Sequence, residues 1–137
     1  MQEGCVKAVV VNNTNVRASG LLADPFCVTA KYVIDTSGYQ AELVNMIRSK
    51  KPDFHASPLQ EVFMDVESAE AGVIEKTGEI LPSLYVADMS VFSVFVLPRM
   101  GPIFGGMLKS GKKAAALIID SYKQNKKGDS NEDNNRV

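Results

Sequence analysis

The chain has 137 residues, of which 45% are hydrophobic and 23% are charged, and its formal net charge is -1. This length has room for a single domain with a modest core, and this composition is ordinary for a globular protein. A near-neutral balance gives no reason to expect nucleic acid or an anionic membrane as a partner, and the apolar runs are too short to span a bilayer.

The first residues and the two cysteines indicate in which cellular compartment the protein is expected. Residues 1–4 lack the basic start and apolar core of a secretory signal, so we expect a cytoplasmic protein. Cys5 and Cys27 are then expected to be reduced and to serve in packing. The one histidine, His55, lies in a polar connector without a second histidine or a carboxylate pattern, which predicts a solvated loop residue.

The first half of the chain predicts strands followed by a helix. The β-branched run at residues 5–11 predicts a strand, and residues 16–22 predict a weak strand or a loop. The short apolar run at 32–34 is typical of a strand buried on both faces. Apolar residues then recur at helical spacing between 41 and 47, and Pro52 ends that helix.

The second half predicts a long amphipathic helix near its end. Residues 63–71 predict a short helix or an edge segment, 73–81 two short strands, and 84–87 a further strand. A loop rich in Ser, Val and Phe leads to Pro102, which suits a first helical turn. The apolar stripe of that helix is Ile103, Met107, Ala114, Leu117, Ile118 and Tyr122, and its other face carries Lys109, Lys112, Lys113 and Lys123.

Two stretches, residues 32–50 and 84–122, share one order of elements: a buried strand, a loop of small residues and an amphipathic helix. Such units build parallel sheets, and ligands bind at the carboxyl ends of their strands. Arg99 lies there, just before a helix N-terminus, which suits a carboxylate or phosphate; the alternative is a solvated loop residue. Gly105 and Gly106 leave the backbone bare enough for another chain or a ligand to approach.

Residues 84–115, LYVADMSVFSVFVLPRMGPIFGGMLKSGKKAA, resemble the C-terminal signature of the thiamine thiazole synthase family, in particular its archaeal-type branch. The resemblance extends upstream in collinear order. Its further matching segments are Gly20-Leu21, Asp24-Pro25, 33–38, 64–66 and 76–79. It therefore covers nearly everything from Val6 to Ile119, which makes it far more specific than a single glycine motif.

The resemblance implies the C-terminal part of a flavoprotein-like, two-dinucleotide-binding Rossmann-type α/β fold, with a mainly parallel sheet and a small antiparallel meander. Residues 1–123 would form this truncated domain, and the polar segment 124–137 is expected to be a disordered tail. Members of the family form homo-octamers and make an adenylated thiazole for thiamine from NAD, glycine, a sulfur source and iron. The resemblance thus implies a transferase-type enzyme with NAD as substrate and Fe(II) as cofactor.

The resemblance also carries substrate-binding residues over to this sequence. Arg99 matches the residue that binds the glycine carboxylate, in agreement with the anion site inferred from the residues alone. Leu22, Ala23, Asp24 and Met89 match positions at the NAD site. A bidentate hold on the carboxylate would orient the glycine amine towards the NAD-derived ribose.

The metal and sulfur positions depart from the family pattern. Asp24 matches the iron-binding aspartate, whereas Tyr39 replaces the second ligand, a histidine, and a phenolate is a poor partner for ferrous iron. Leu22 occupies the position of the sulfur-donating cysteine or its histidine replacement, and an alkyl side chain can neither donate sulfur nor bind iron. Asp88 and Val96 stand where the family usually has glycine.

The sequence contains no G-x-G-x-x-G dinucleotide fingerprint, which in the family lies upstream of every matched segment. We therefore expect the isolated chain to be inactive, and none of its residues is a convincing general base. One hypothesis is a diverged or split synthase that works with an N-terminal-half partner chain. A second is a non-catalytic remnant that binds a partner through the family's oligomer surfaces, and a third is a fragment without a role of its own.

Overall fold

A computed structural model describes residues 4–12, 14–20, 24–51, 54, 62–101 and 104–133, with the backbone alone for Arg17 and residues 127–133. The strands are β1 (Ala8–Val11), β2 (Phe26–Thr29), β3 (Val33–Asp35), β4 (Gly78–Leu81) and β5 (Leu84–Val86). The helices are α1 (Thr14–Ala18), α2 (Glu42–Lys50), α3 (Val66–Lys76), α4 (Met89–Phe95) and α5 (Phe104–Asp133), and a 3₁₀ turn covers Gly38–Gln40.

The strands form two small sheets. β1 and β2 pair antiparallel, with Val10 opposite Cys27. In the second sheet β5 lies in the middle, parallel to β3 and antiparallel to β4. Because β3 and β5 run in the same direction, the loops that follow them leave from the same edge of this sheet. The α/β class is confirmed, but only one of the three pairings between described strands is parallel, so a mainly parallel sheet stays a prediction.

Helix α3 covers a segment for which the sequence predicted a strand. Asp65 caps the helix by accepting a hydrogen bond from the backbone N–H of Ser68. Ala69 and Val73, four residues apart on one helical face, are both fully buried. The prediction of a strand over residues 73–76 is therefore wrong, because burial of this helical face outweighs the local strand preference of the β-branched residues.

Two other helices lie where the sequence predicted different structure. Helix α1 (Thr14–Ala18) overlaps residues 16–22, which were predicted as a weak strand or a loop. The Ser, Val and Phe stretch after β5, predicted as a loop, contains helix α4, whose residues 90–94 are all buried. Helix α5 continues to Asp133, and the expected disorder of the polar segment 124–137 stays a prediction. Residues 134–137 of that segment lie outside the described ranges. None of the described helices is both long and apolar enough to cross a membrane.

The main core cluster joins α2, α3, α4 and β5, with Val44, Val86, Phe92 and Met100 among its buried residues. Helix α5 packs closely on α3 at Gly106, where an added Cβ would lie 2.9 Å from Met100 Sδ. Because Gly106 has no side chain, Met100 and helix α3 of this same chain can approach its backbone closely. The sequence suggested that another chain or a ligand would do so.

Lys113 also joins α5 to α3, although the sequence placed it on a solvent face. Its Nζ donates to the carbonyl oxygens of Ile74 (2.9 Å) and Glu75 (2.7 Å), in the last turn of α3. A cation at the carboxyl end of a helix satisfies free carbonyl groups and complements the helix dipole. Lys113 therefore fixes the end of α3 against α5.

Candidate functional site

The buried carboxylate of Asp35, which is 1% exposed, organises the loop after β3. Its Oδ1 accepts hydrogen bonds from Ser37 N (3.0 Å) and Ser37 Oγ (2.6 Å). Ser90 Oγ on α4 also donates to Oδ1 at 3.2 Å, and Val44 N in the first turn of α2 donates to Oδ2 at 3.1 Å. A buried carboxylate is tolerated when donors surround it in this way. Asp35 therefore fixes α2 and α4 relative to the end of β3.

Two serines of α4 hold the 3₁₀ turn that carries Tyr39. Ser90 Oγ lies 3.1 Å from the carbonyl oxygen of Gly38, and Ser93 Oγ donates to the carbonyl oxygen of Tyr39. Ser90 and Ser93 are three residues apart, so they lie on the same side of the helix. The chain segments that follow β3 and β5 are thereby joined at one edge of the sheet.

Tyr39 and Arg99 are in direct contact at this edge. The guanidinium carbon of Arg99 lies over the Tyr39 ring, 5.1 Å from its centroid, which is within range of a cation–π interaction. The Tyr39 ring also contacts Phe92, with centroids 6.0 Å apart and planes tilted by 45°. Arg99 is exposed, and a guanidinium can offer two parallel N–H donors to an anion. Arg99 therefore stays a candidate anion-binding residue at this edge.

Backbone hydrogen bonds fix the position of Arg99. Its N–H donates to the carbonyl of Phe63 (3.0 Å), and its carbonyl accepts from the N–H of Asp65 (3.2 Å), so the segments before α3 and α5 lie side by side. Asp65 is itself held at the start of α3, where hydrogen bonds from the Ser68 hydroxyl and the Ser68 N–H lower the pKa of Asp65 below its usual 3.8. Arg99 is thus attached to the framework of α3.

The connection from β5 to α4 combines backbone strain with an unpaired carboxylate oxygen. Asp88 has φ 60° and ψ -143°, and Val96 at the end of α4 has φ 53° and ψ 46°, both conformations that favour glycine. The Oδ1 atom of Asp88 is buried and has no hydrogen-bond partner among the described residues. Met89 follows directly and packs against the same core cluster as Tyr39.

A chain of hydroxyl groups ties this connection to α5. Asp88 N donates to Ser110 Oγ at 2.8 Å, and Ser110 Oγ lies 2.6 Å from Thr77 Oγ1. Thr77 Oγ1 donates in turn to the carbonyl of Val73 at 2.6 Å. Because each hydroxyl has a single proton, Ser110 must be the donor to Thr77. Both hydroxyls are buried, so their positions are set by the fold and not by solvent.

The other predicted site residues are not joined to this cluster by the described contacts. Asp24 is exposed, just ahead of β2, and no hydrogen bond or ion pair among the described residues connects it with Tyr39 or Arg99. Its predicted convergence with Met89 and Arg99 therefore stays a prediction. Leu22, Ala23 and His55 lie outside the described ranges.

The part of the chain that the structure describes contains no group of three or more His, Cys, Asp and Glu side chains that could hold a metal ion. Asp24 and Tyr39 supply two oxygen donors, and the ring of Tyr39 is already stacked against a guanidinium. These residues by themselves do not fit an iron site, for which imidazole or further carboxylate ligands are needed.

Sequence reasoning did not identify Asp35, Ser90 or Ser93 as residues that build the site. One signal was available for Asp35, which ends a buried strand and precedes Thr-Ser-Gly, a pattern typical of side-chain hydrogen bonding to turns and helix starts. Ser90 and Ser93 show a helical spacing within an apolar stretch, but that signal has meaning only once the stretch is known to be a helix.

These features define an α/β protein with a candidate ligand site where the chain segments after two parallel strands meet. Comparison with known proteins specifies the class further. The chain belongs to the Thi4 family, whose model matches residues 1–104. The resemblance to thiamine thiazole synthases that the sequence predicted is therefore confirmed.

The relatives are about twice as long as the region they share with this chain. The thiamine thiazole synthase of Methanothermobacter thermautotrophicus is 40% identical over 124 residues, which are 86% of this chain and 47% of the relative. That of Pyrobaculum aerophilum is 45% identical over 105 residues, 77% of this chain and 40% of the relative. The crystal structure of Thermovibrio ammonificans THI4 matches with a TM-score of 0.79 and 34% identity, covering 87% of this chain and 46% of that chain.

Proposed function

We propose that this chain supplies the glycine-binding part of a thiazole-forming site and works together with the half that its relatives carry beyond the matched region. The observation that supports this is Arg99, whose guanidinium stacks on Tyr39 while its backbone is held by the segment before α3. The N–H edge of the guanidinium would bind the glycine carboxylate through two parallel hydrogen bonds. With its carboxylate fixed in this way, the bound glycine would direct its amine at the reacting ribose carbon.

The dinucleotide would lie along the connection between β5 and α4. Asp88 stands on this connection with its Oδ1 atom buried and without a hydrogen-bond partner among the described residues, so a ribose hydroxyl would have to enter the interior to reach it. Met89 would pack beside it, and Leu22, Ala23 and Asp24 would complete the NAD site, as the resemblance implies. NAD would serve as a substrate, and the product would be the adenylated thiazole used for thiamine. The C-terminal part of a two-dinucleotide-binding fold would carry this chemistry.

Iron would need more ligands than the described residues provide. Asp24 would contribute one carboxylate, and Tyr39 stands at the position of the family's histidine. Fe(II) binding would therefore depend on donors from the other half or from a neighbouring subunit. Leu22 offers no sulfur, so the sulfur would come from outside this chain.

Assembly is part of the same proposal. Three large apolar side chains near the site are strongly exposed, namely Phe63 (72%), Phe104 (70%) and Leu108 (75%). Exposed apolar side chains of this size are a feature of surfaces that bind another polypeptide. They would contact the N-terminal half, and the complete enzyme would be a homo-oligomer located in the cytoplasm.

The test joins the two halves. This chain is co-expressed with the part of the Methanothermobacter thermautotrophicus relative that lies outside the match, and the purified complex is incubated with NAD, glycine, Fe(II) and sulfide. Mass spectrometry should detect an adenylated thiazole. Arg99→Lys should lower its rate of formation by about 10²-fold, because a point charge replaces a bidentate donor.

The control for that substitution is Lys112→Gln, which removes one exposed positive charge from α5 and should leave the rate unchanged. A co-purified complex that makes no product under any of these conditions would refute the catalytic proposal. Equal rates for the Arg99 and Lys112 variants would refute the assigned role of Arg99.

A second candidate function, a non-catalytic protein that binds a partner, is favoured by the same exposed side chains and by the departures at Leu22 and Tyr39. In that case the halves should co-purify, but NAD and glycine should not change the unfolding temperature of the complex. A ligand present at 100 times its Kd stabilises the folded state by about 2.7 kcal/mol. A clear rise in the unfolding temperature would therefore exclude this candidate.

A further inference from the structure

Tyr39 belongs to a turn whose carbonyl groups are held by side chains of two neighbouring helices. The 3₁₀ turn covers residues 38–40. Ser90 Oγ of α4 lies 3.1 Å from its first carbonyl oxygen, Ser93 Oγ of α4 donates to the second, and Asn45 Nδ2 of α2 donates to the third. Because these contacts come from both helices, the backbone at Tyr39 is fixed relative to α2 and α4.

The residue that follows this turn also shows that the fold imposes its shape. Ala41 has φ 39°, in the left-handed region that favours glycine. It is only 1% exposed, and its N–H donates to the carbonyl oxygen of Gly38 at 3.0 Å. A non-glycine residue keeps such a conformation only where the surrounding structure determines it. The position of Tyr39 is therefore set by packing and not by local preference.

The ring of Tyr39 contacts a buried aromatic side chain and a cation. Phe92 is 2% exposed, and its ring lies 6.0 Å from that of Tyr39 between centroids, with the planes tilted by 45°, a separation typical of aromatic pairs. The guanidinium carbon of Arg99 lies over the Tyr39 ring, 5.1 Å from its centroid. Because the turn and Phe92 are both fixed, the ring presents a positioned surface to the guanidinium.

Arg99 needs such a surface because its side chain is exposed and has several rotatable bonds. Hydrogen bonds to Phe63 and Asp65 hold its backbone, but they do not fix the guanidinium. Binding an anion through two parallel N–H groups requires the side chain to be ordered, which costs conformational entropy. A ring that attracts the guanidinium before the anion binds removes part of that cost.

We propose that Tyr39 is a positioning residue for Arg99, that it acts through its aromatic ring, and that its hydroxyl is not a ligand for iron. Tyr39 stands where the resemblance places an iron-binding histidine, and a phenol is a poor partner for ferrous iron. The exchange instead supplies a phenol ring whose face attracts a cation. The identity of the anion rests on the proposed function, whereas the contact between the ring and the guanidinium does not.

The contact is tested on this chain alone by the rate at which phenylglyoxal modifies Arg99, followed by mass spectrometry of the peptides. Tyr39→Leu removes the ring and should raise this rate about two- to fivefold, the factor expected for loss of an exposed cation–π contact. Tyr39→Phe removes only the hydroxyl and should leave the rate unchanged. The matched control Tyr122→Leu removes a ring that lies under Lys31 and should also leave the Arg99 rate unchanged.

A second measurement needs no variant that loses the ring. Nuclear Overhauser effects between the ring protons of Tyr39 and the side-chain methylene protons of Arg99 should appear in the native chain. They should persist with the ring of Tyr39→Phe, because the hydroxyl takes no part in the contact. Their absence from the native chain would overturn the proposal, as would equal phenylglyoxal rates of Arg99 in Tyr39→Leu and Tyr39→Phe.

Iron and glycine test the rest of the proposal in the complex of the two halves. Ferric iron bound by a tyrosinate absorbs visible light, so a visible band that forms with Fe(III) and is lost in Tyr39→Phe would overturn the proposal. Tyr39→Phe should keep the KM for glycine, whereas Tyr39→Leu should raise it about two- to fivefold with kcat nearly unchanged. A complex that makes no product would refute the proposed function and leave the phenylglyoxal result standing.

Discussion

The contact between α3 and α5 can be tested with one substitution at two positions of the same helix. At Gly106 an added Cβ would lie 2.9 Å from Met100 Sδ, 3.1 Å from Glu70 Cγ and 3.2 Å from Val73 Cγ1. At Gly111 an added Cβ would meet nothing within 4 Å. Gly106→Ala therefore forces a methyl group into a packed interface, whereas Gly111→Ala adds it to an open surface.

Both substitutions increase helix propensity, but only Gly106→Ala also overpacks the interface between α3 and α5. Gly to Ala in the interior of a helix gains about 0.8–1 kcal/mol from backbone entropy and propensity. Overpacking a well-packed site costs about 1–3 kcal/mol. Gly111→Ala should therefore stabilise the chain by about 1 kcal/mol, and Gly106→Ala should range from neutral to about 2 kcal/mol destabilising.

Urea denaturation followed by circular dichroism measures this difference. The midpoints of the two variants should separate while the m-values stay equal, since the surface exposed on unfolding is the same. For a chain of this size the unfolding temperatures should differ by about 3 °C for each kcal/mol. If Gly106→Ala stabilised the chain as much as Gly111→Ala, the close approach of α3 to α5 would be refuted.

Three further predictions concern the site framework. Asp35→Asn should lower the free energy of unfolding by about 1–3 kcal/mol, because asparagine has one accepting oxygen and its NH₂ group would face either Val44 N or the serine donors; an unchanged urea midpoint would contradict the network. Val96→Gly should be more stable than the matched control Val96→Ala by about 1 kcal/mol, because only glycine relieves the left-handed strain; equal thermal unfolding would contradict it. Because the pKa of Asp65 is lowered in the folded state, its charged form stabilises the chain above pH 3.8, and this stabilisation is lost as the pH falls through the folded-state pKa. The difference in unfolding free energy between the native chain and Asp65→Asn should therefore shrink on acidification. A difference that is independent of pH would contradict this.

The role of Arg99, its contact with Tyr39 and the secondary structure at Val73 differ in how well local sequence patterns predict them. Arg99 was predictable as an anion-binding candidate because its signal is local: a cation among glycine and proline just before an amphipathic helix. Its contact with Tyr39 was not predictable, because 60 positions of sequence separate residues 39 and 99 and no local pattern reports on that distance. Similarly, β-branched residues at 73–76 favoured a strand until the burial of Val73 against the core decided for α3.

By itself the sequence indicated the family, which the family model confirms, and marked Arg99 as a candidate anion-binding residue, because both signals are recorded in the identity and spacing of neighbouring residues. Only the tertiary structure decided that Asp35 joins β3 to Ser90 across 55 positions, that Gly106 admits α3, and that the ring of Tyr39 contacts Arg99. The physical reason is that hydrogen-bond partners and close packing depend on which segments meet in space. Burial of apolar surface selects that arrangement over the whole chain at once.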